Sequence, residues 1–572
     1  MKFSEKLNSS RSWKLLAAVL LNAVFLVIVI RTYALVFSIN DDVYLQLFVN
    51  GAFSTKDIHI PFANVFMGVV LKLLYSVFGS RVPCYTILLY GMLFSGLTAL
   101  TYAIMEKYGT LHGGLVATVL LLLFGTEAYA RITFTVCSGI CVIAGMYLLF
   151  ISADQLYDGK QKLFGAETII GIVLCIFGTL RKQFFLPLLA LSAIPGVKKL
   201  LKMWNEEDHK NLGKKFFLYC TPFLVMICTV LCLKALDRLA WKNDMYADWE
   251  TFSVVRVDMK DYLGLPDYWT NPEEFEKIDM SENDEAMMKA YLFSDREFFT
   301  TERLEDLRAI CQLQNENRMG LSMILVEFFK NMFFCFLHKK YAQAVLIAGL
   351  IWLLTNEYDR ASVFSAALWV FGFSVMYMML IYKGRYGFDR VDSILLVTGF
   401  MAFVMTAKPC ETGMKTAILS AAVLAALFLN IRVTSAIMLR GEETEKVSNA
   451  VAVLNAMETL NEEKDYVFIM NDYQLAEMQW MPFETLPEGM CDRLIINWGW
   501  AIRHPAVTRA LESNGISNVY RDCVDRSDVL WVNGSSDTIV RYIQEHYCPE
   551  AKVEIITELS QKTGMDIYRI SR

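Results

Sequence analysis

The sequence predicts an all-α polytopic membrane domain over residues 1–440, followed by a small exported α/β domain over 441–572. Three observations lead there. The 572-residue chain is 55% hydrophobic with a mean hydropathy of +0.36, far from the balance of a soluble domain. About eleven apolar runs follow one another up to residue 438, most of them near the roughly 20 residues that a helix needs to cross a hydrocarbon core. Beyond residue 440 the pattern changes to short apolar runs bounded by polar turns, which is the signature of strands.

The first run, 13–37, exceeds the apolar stretch of a signal peptide and lacks a small-residue cleavage site, so it reads as a retained helix. Lys2, Lys6, Arg11 and Lys14 precede it against the single acid Glu5, which places the N-terminus in the cytoplasm and external loop 1, 37–81, outside. Within that loop, 57–79 reads as a helix lying on the outer surface. With this choice the basic loop 197–215 stays cytoplasmic; an additional crossing would export it.

The next runs are 82–105, 113–130 and 132–153, then two short ones, 163–180 and 184–197, which meet at Arg181-Lys182 and form either two spans or a re-entrant hairpin. Run 216–236 leads out to the large external loop, 237–340, whose last part, 321–337, is aromatic and amphipathic and reads as a second interfacial helix. Runs 341–355, 361–382, 391–407 and 416–438 complete the count and export the C-terminus. Charge supports this topology: residues 237–320 carry a net −10 and residues 440–572 a net −9, leaving +13 for the rest of a chain whose total is −6.

In the last part, runs near 466–470, 493–497, 529–532, 553–556 and 566–570 read as strands, and 505–514 and 538–546 as helices. Most of the thirteen cysteines lie in apolar runs, where they behave as small hydrophobes. No zinc spacing, CxxC pair, P-loop or dinucleotide fingerprint is present, and nothing implies a nucleic-acid partner.

Asp41-Asp42 stands directly after the first apolar run, at a membrane surface where a carboxylate has few cheap reasons to be. Adjacent carboxylates repel, which raises one pKa and suits a base poised near neutrality. The same two residues also fit the start of a surface helix, where Asp is favoured. The outer face is expected to carry His59, Glu127, Arg131, Arg181 and Lys182, together with Lys383, Arg385 and Arg390 in one short loop. Basic residues are scarce in short exported loops, and Arg or Lys at an interface suits phosphate binding as well as snorkelling to headgroups. Glu127 and Arg131 are also spaced to pair on a helix.

This layout resembles the GT-C superfamily of membrane glycosyltransferases, which includes the protein O-mannosyltransferase and aminoarabinose transferase types. The residues that carry the resemblance are Asp41-Asp42 in the first external loop, the His59-Ile-Pro-Phe62 segment opening an interfacial helix, and Arg81 before the next span. It covers most of residues 1–440 in layout. It implies a polyprenyl-phosphate sugar donor, a cell-envelope glycan, lipid or protein acceptor, and transfer on the outer face of the cytoplasmic membrane. Asp41 and Asp42 would be the catalytic acids, with the base on Asp41, and the basic residues would hold the lipid phosphate. Members often have a further aspartate in the second external loop. Here that position offers Glu127 and Arg131, which argues against a divalent metal, and no other cofactor is implied. Two alternatives from other classes are a transporter or flippase for a lipid-linked glycan and a non-catalytic envelope assembly protein. Against transport, the ionisable residues concentrate at one face and no internal repeat appears.

Overall fold

The structure is a computed structural model that describes residues 10–159, 163–204, 212–314, 320–355, 360–407, 414–431, 439–440, 445–471, 482–497 and 499–572. Lys2, Lys6, Lys210 and the end of the last apolar run, 432–438, lie outside the described residues. Each of the eleven apolar runs carries a helix. Among the described residues, eight helical stretches are long and apolar enough to cross a membrane, and Val65–Phe78, Lys340–Leu354 and Thr416–Ile431 are shorter apolar helices.

One of those eight stretches, Ala166–Leu201, reverses direction partway along. The Ala166–Phe177 helix runs antiparallel to Phe134–Tyr157: Thr168 meets Ser152 through a hydroxyl pair 2.5 Å apart, while a Cβ on Gly178 would meet the Val142 side chain at 2.4 Å. The Lys182–Trp204 helix then runs back, with a Gly196 Cβ 2.4 Å from the Phe150 ring and Lys199 3.3 Å from Asp154. The 3-10 turn Gly178–Arg181 is therefore the tip of a helical hairpin, and Arg181 and Lys182 sit at its apex. Close approach of the backbones makes this packing possible.

Leu321–His338 is long and apolar enough to cross as well. Its polar residues meet the loop before Asp389 in turn: Glu327 contacts Tyr386, Asn331 lies beside Gly387, and the following Lys339 pairs with Asp389 at 2.7 Å. The helix thus lies across one end of the bundle. Low-dielectric surroundings push charge to helix ends, and at the far end Lys14 pairs with Glu106 at 3.3 Å and Lys198 donates to Thr406 O at 2.7 Å. The near end collects Asp41, Asp42, Arg131, Arg181 and the 383–392 turn.

Residues 467–571 build a five-stranded sheet from β1 (Val467–Met470), β2 (Leu494–Ile496), β3 (Val529–Val532), β4 (Lys552–Ile555) and β5 (Ile567–Ser571), in the order β2-β1-β3-β5-β4. The first three strands are parallel and the last two antiparallel, with their central strands buried on both faces. This unit docks on external loop 1: Gly489 N–H donates to Gly51 O at 2.9 Å, and Cys491 N–H to Ala52 O at 2.7 Å. It docks equally on the acidic loop, residues 237–320. Arg503, held at φ 62°, donates to the carbonyls of Phe293, Ser294, Asp295 and Phe299, while Tyr542 donates to the buried Asp295 at 2.8 Å.

The hairpin packing generates the first prediction. A Cβ on Gly145 would stand 2.6 Å from Gly171 O, a backbone atom that cannot swing away, whereas one on Gly91 meets nothing within 4 Å. Gly145→Ala should lower stability by about 1–3 kcal/mol and Gly91→Ala should leave it unchanged, as read by thermal unfolding of the detergent-purified chain.

Candidate active site

Helix Asp41–Asn50 starts at Asn40 and turns both aspartates into its first turn, where the amide dipoles favour negative charge. The two carboxyls then part company. Asp42 is fully buried; its Oδ1 accepts from the Tyr85 hydroxyl at 2.8 Å and from the Phe134 N–H at 2.9 Å, and its Oδ2 is buried with no partner. Burial pushes this carboxyl up to about 7 against the hydrogen bonds of the Phe134 N–H, the Tyr85 hydroxyl and the neighbouring Thr133 side chain, which favour the charged form. Asp41 is only half-buried; its Oδ1 accepts from the Trp500 indole N–H at 2.9 Å, and its Oδ2 has no partner among the described residues.

Around Asp41 stand cations that lack matching acids. Arg181 lies under three rings, with its guanidinium carbon 4.6 Å from the centre of Phe62, 5.1 Å from Phe134 and 5.8 Å from Phe184, and its Nε and Nη1 are buried without acceptors. It lies within electrostatic reach of Asp41, Arg385 and Arg390. Phe62 takes a left-handed φ of 69°, which a side-chain residue adopts only at a cost, and this holds its ring between Arg181 and Trp500.

Arg256 of the acidic loop approaches the same place. It is buried, its Nε has no acceptor, and it feels the charges of Asp41, Asp261 and Arg385. Desolvation lowers its pKa, so the charged form lacks sufficient compensation. The π-helical turn Val257–Leu263 follows directly and sends Asp261 to Arg385 at 2.9 Å, with the Tyr262 ring 4.7 Å from that guanidinium. Buried N–H groups without acceptors are uncommon in native proteins and mark places where an anion or ordered water belongs.

The remaining expected residues divide. Arg131 and Arg390 line a small polar cleft with Glu127, Asp389 and Tyr341, and Ser38 of external loop 1 closes it three residues before Asp41. Glu127 faces Arg131 at 3.5 Å across one helical turn. Lys383 is exposed and has no ion pair among the described residues. His59 and Lys182 are not brought to Asp41. The His59 ring spends Nδ1 on Asp57 at 3.0 Å and Nε2 on Ala240 O at 3.1 Å, and it stacks on Tyr246. Lys182 pairs with Asp237 at 3.1 Å. Both serve the junction of external loop 1 with the acidic loop.

Sequence reasoning missed Arg256, Tyr85 and Trp500, and it missed the network that anchors the sheet. In that network Arg509 pairs with the buried Asp57 at 2.9 Å, and the buried His504 reaches His59 O at 3.2 Å. His504 Nδ1 accepts from Ala506 N–H, so its Nε2 carries the proton, and burial pushes the ring down to about 4. One group of possible metal ligands, Asp284, Glu545 and His546, occurs among the described residues, at the far side of this junction and already hydrogen-bonded to Ser281, Arg541 and one another.

No family model, curated protein or solved structure matches this chain.

The environment of Asp42 sets a pH dependence. The folded state holds this proton more tightly than an unfolded carboxyl near 3.8, so the associated stability is full below that value and is lost as the pH rises toward 7. Asp42→Asn keeps an acceptor for Tyr85 and the Phe134 N–H and carries no charge. Its thermal midpoint should exceed that of the parent at pH 8, and the two should converge near pH 4, as followed by differential scanning fluorimetry.

Proposed function

We propose that this chain is a GT-C-type glycosyltransferase that moves a sugar from a polyprenyl-phosphate donor to a cell-envelope acceptor. One observation carries the reading: a half-buried carboxylate, Asp41, shares a site with two guanidinium groups in which Arg181 Nε and Nη1 and Arg256 Nε are buried without acceptors. A base beside donors that call for an anion is what attack by a hydroxyl on a sugar phosphate requires.

In this reading Asp41 Oδ2 takes the proton of the acceptor hydroxyl as its oxygen bonds to the anomeric carbon. The bond from that carbon to the phosphate oxygen breaks, and its electron pair leaves with the lipid phosphate. Arg181, Arg256 and Arg385 stabilise the added charge, and Arg131 and Arg390 flank the neighbouring cleft. Asp42 holds the start of the helix and is not the base, because its free oxygen is sealed from solvent. The site faces the outer side of the membrane, with the N-terminus cytoplasmic; the acidic balance of residues 237–320 and 440–572 supports that side.

Asp41→Asn should abolish transfer without changing expression or the elution profile of the purified protein. Mass spectrometry of lipid extracts should then reveal accumulated polyprenyl-phosphate sugar beside a depleted surface polymer; undiminished transfer by this variant refutes the base assignment. Arg256→Gln should raise the apparent KM for the donor about tenfold or more, in keeping with loss of a charge-assisted contact, and an unaltered KM would remove Arg256 from the donor site.

A further inference from the structure

We propose that Trp500 is a positioning residue for Asp41, so that the C-terminal sheet unit is an integral part of the catalytic apparatus. The inference rests on Asp41 being the base and adds what orients it.

The bond spans most of the chain: the Trp500 indole N–H donates to Asp41 Oδ1 at 2.9 Å across 459 residues. Fixing one carboxylate oxygen turns the other toward the guanidinium groups and the incoming hydroxyl. In general a donor to a carboxylate oxygen favours the charged form over the acid. The topology delivers this residue by rule. In an open sheet, functional groups gather beyond the carboxyl ends of parallel strands; β2 ends at Ile496, and Trp500 follows in the 3-10 turn Gly499–Ala501, which Gly499 enters at φ 80°.

The segment is held too firmly for a loop that merely touches its neighbour. Ile502 O accepts from the Trp249 indole at 3.2 Å, Arg503 is clamped by four carbonyls of the acidic loop, and His504 reaches external loop 1. A donor held this firmly by its neighbours fixes the carboxylate that it bonds. The indole is also packed, with ring centres 5.1 Å from Phe62 and 5.5 Å from Tyr44. A purely structural role would therefore lie in the ring and not in its N–H.

Trp500→Phe separates the two roles, because it keeps an aromatic ring and deletes the donor. The full chain, in lipid nanodiscs, is treated with dicyclohexylcarbodiimide, which attacks carboxyls in their acid form, and the modified peptide is quantified by mass spectrometry with the exposed Asp537 as internal reference. At pH 7 Asp41 should react several-fold faster in W500F than in the parent. The ratio should fall toward one as the pH is lowered, and Asp537 labelling should be the same in both. A ratio of one throughout, or an excess independent of pH, overturns the proposal, the latter because it reports access alone. The labelling needs no turnover, so it can fail while Asp41→Asn still abolishes transfer, and the reverse outcome would reject the glycosyltransferase reading instead. In the transfer assay W500F should lower kcat about tenfold with the donor KM unchanged. A lowered donor affinity with unchanged kcat counts against positioning.

Discussion

The burial of the Asp42 carboxyl is the constraint on which the rest of the site depends. Its Oδ1 receives the Tyr85 hydroxyl, from the first turn of the Cys84–Tyr108 helix, and the N–H of Phe134, which opens the Phe134–Tyr157 helix. Three elements distant in sequence are thereby tied at one atom. A buried carboxyl without these donors would cost several kcal/mol, so the start of the Asp41–Asn50 helix has little freedom to drift. The parallel bridge between Val36–Phe37 and Arg131–Ile132 fixes the same junction from the other side. Asp41, Arg131 and the ring of Phe134 under Arg181 inherit their places from this knot.

A second layer is laid over the first by external loop 1, the acidic loop and the sheet. Asp57 is the centre of it. Burial opposes its charge, but hydrogen bonds from His59 and Tyr246 outweigh that cost and hold it well below the usual carboxylate range, and Arg509 pairs with it at 2.9 Å. The three partners come from the three pieces. Such a hub makes docking conditional on all of them, since removal of any one strands a buried charge. The sheet unit therefore does not hang from the membrane part as a separate body. This docking brings the Trp500 turn and the Arg256 helix to the site.

The legible parts of the sequence were those in which a local pattern breaks a strong rule. Two acids at the end of a 25-residue apolar run, and three cations in the short 383–390 loop, stand out against the rules for membrane insertion, and both lie at the end of the bundle that gathers charge. The helices and strands followed from apolar periodicity, which is a local property. Arg256 was hidden because it is one of ten cations in a segment with twenty acids, where the expected reading is a solvated face. Trp500 has no local signal at all; its meaning comes from a contact across the whole chain. His59 and Lys182 show the reverse limit: their residue types point to the outer face, but which partners they take, Ala240 O and Asp237, is set by contacts with a segment far along the chain.

Adjacency explains how one pair of aspartates takes two roles. Successive residues on an α-helix diverge by about 100°, so at the start of the Asp41–Asn50 helix one carboxyl must turn inward if the other faces out. The inward one, Asp42, holds a proton more readily than a solvated carboxyl because burial disfavours its charged form. Asp41, turned the other way, faces arginines that need an anion. The two environments differ by design of the backbone and not of the side chains, which are identical. Burial is how proteins give two like acids different environments, and here the separation is set by the helix register.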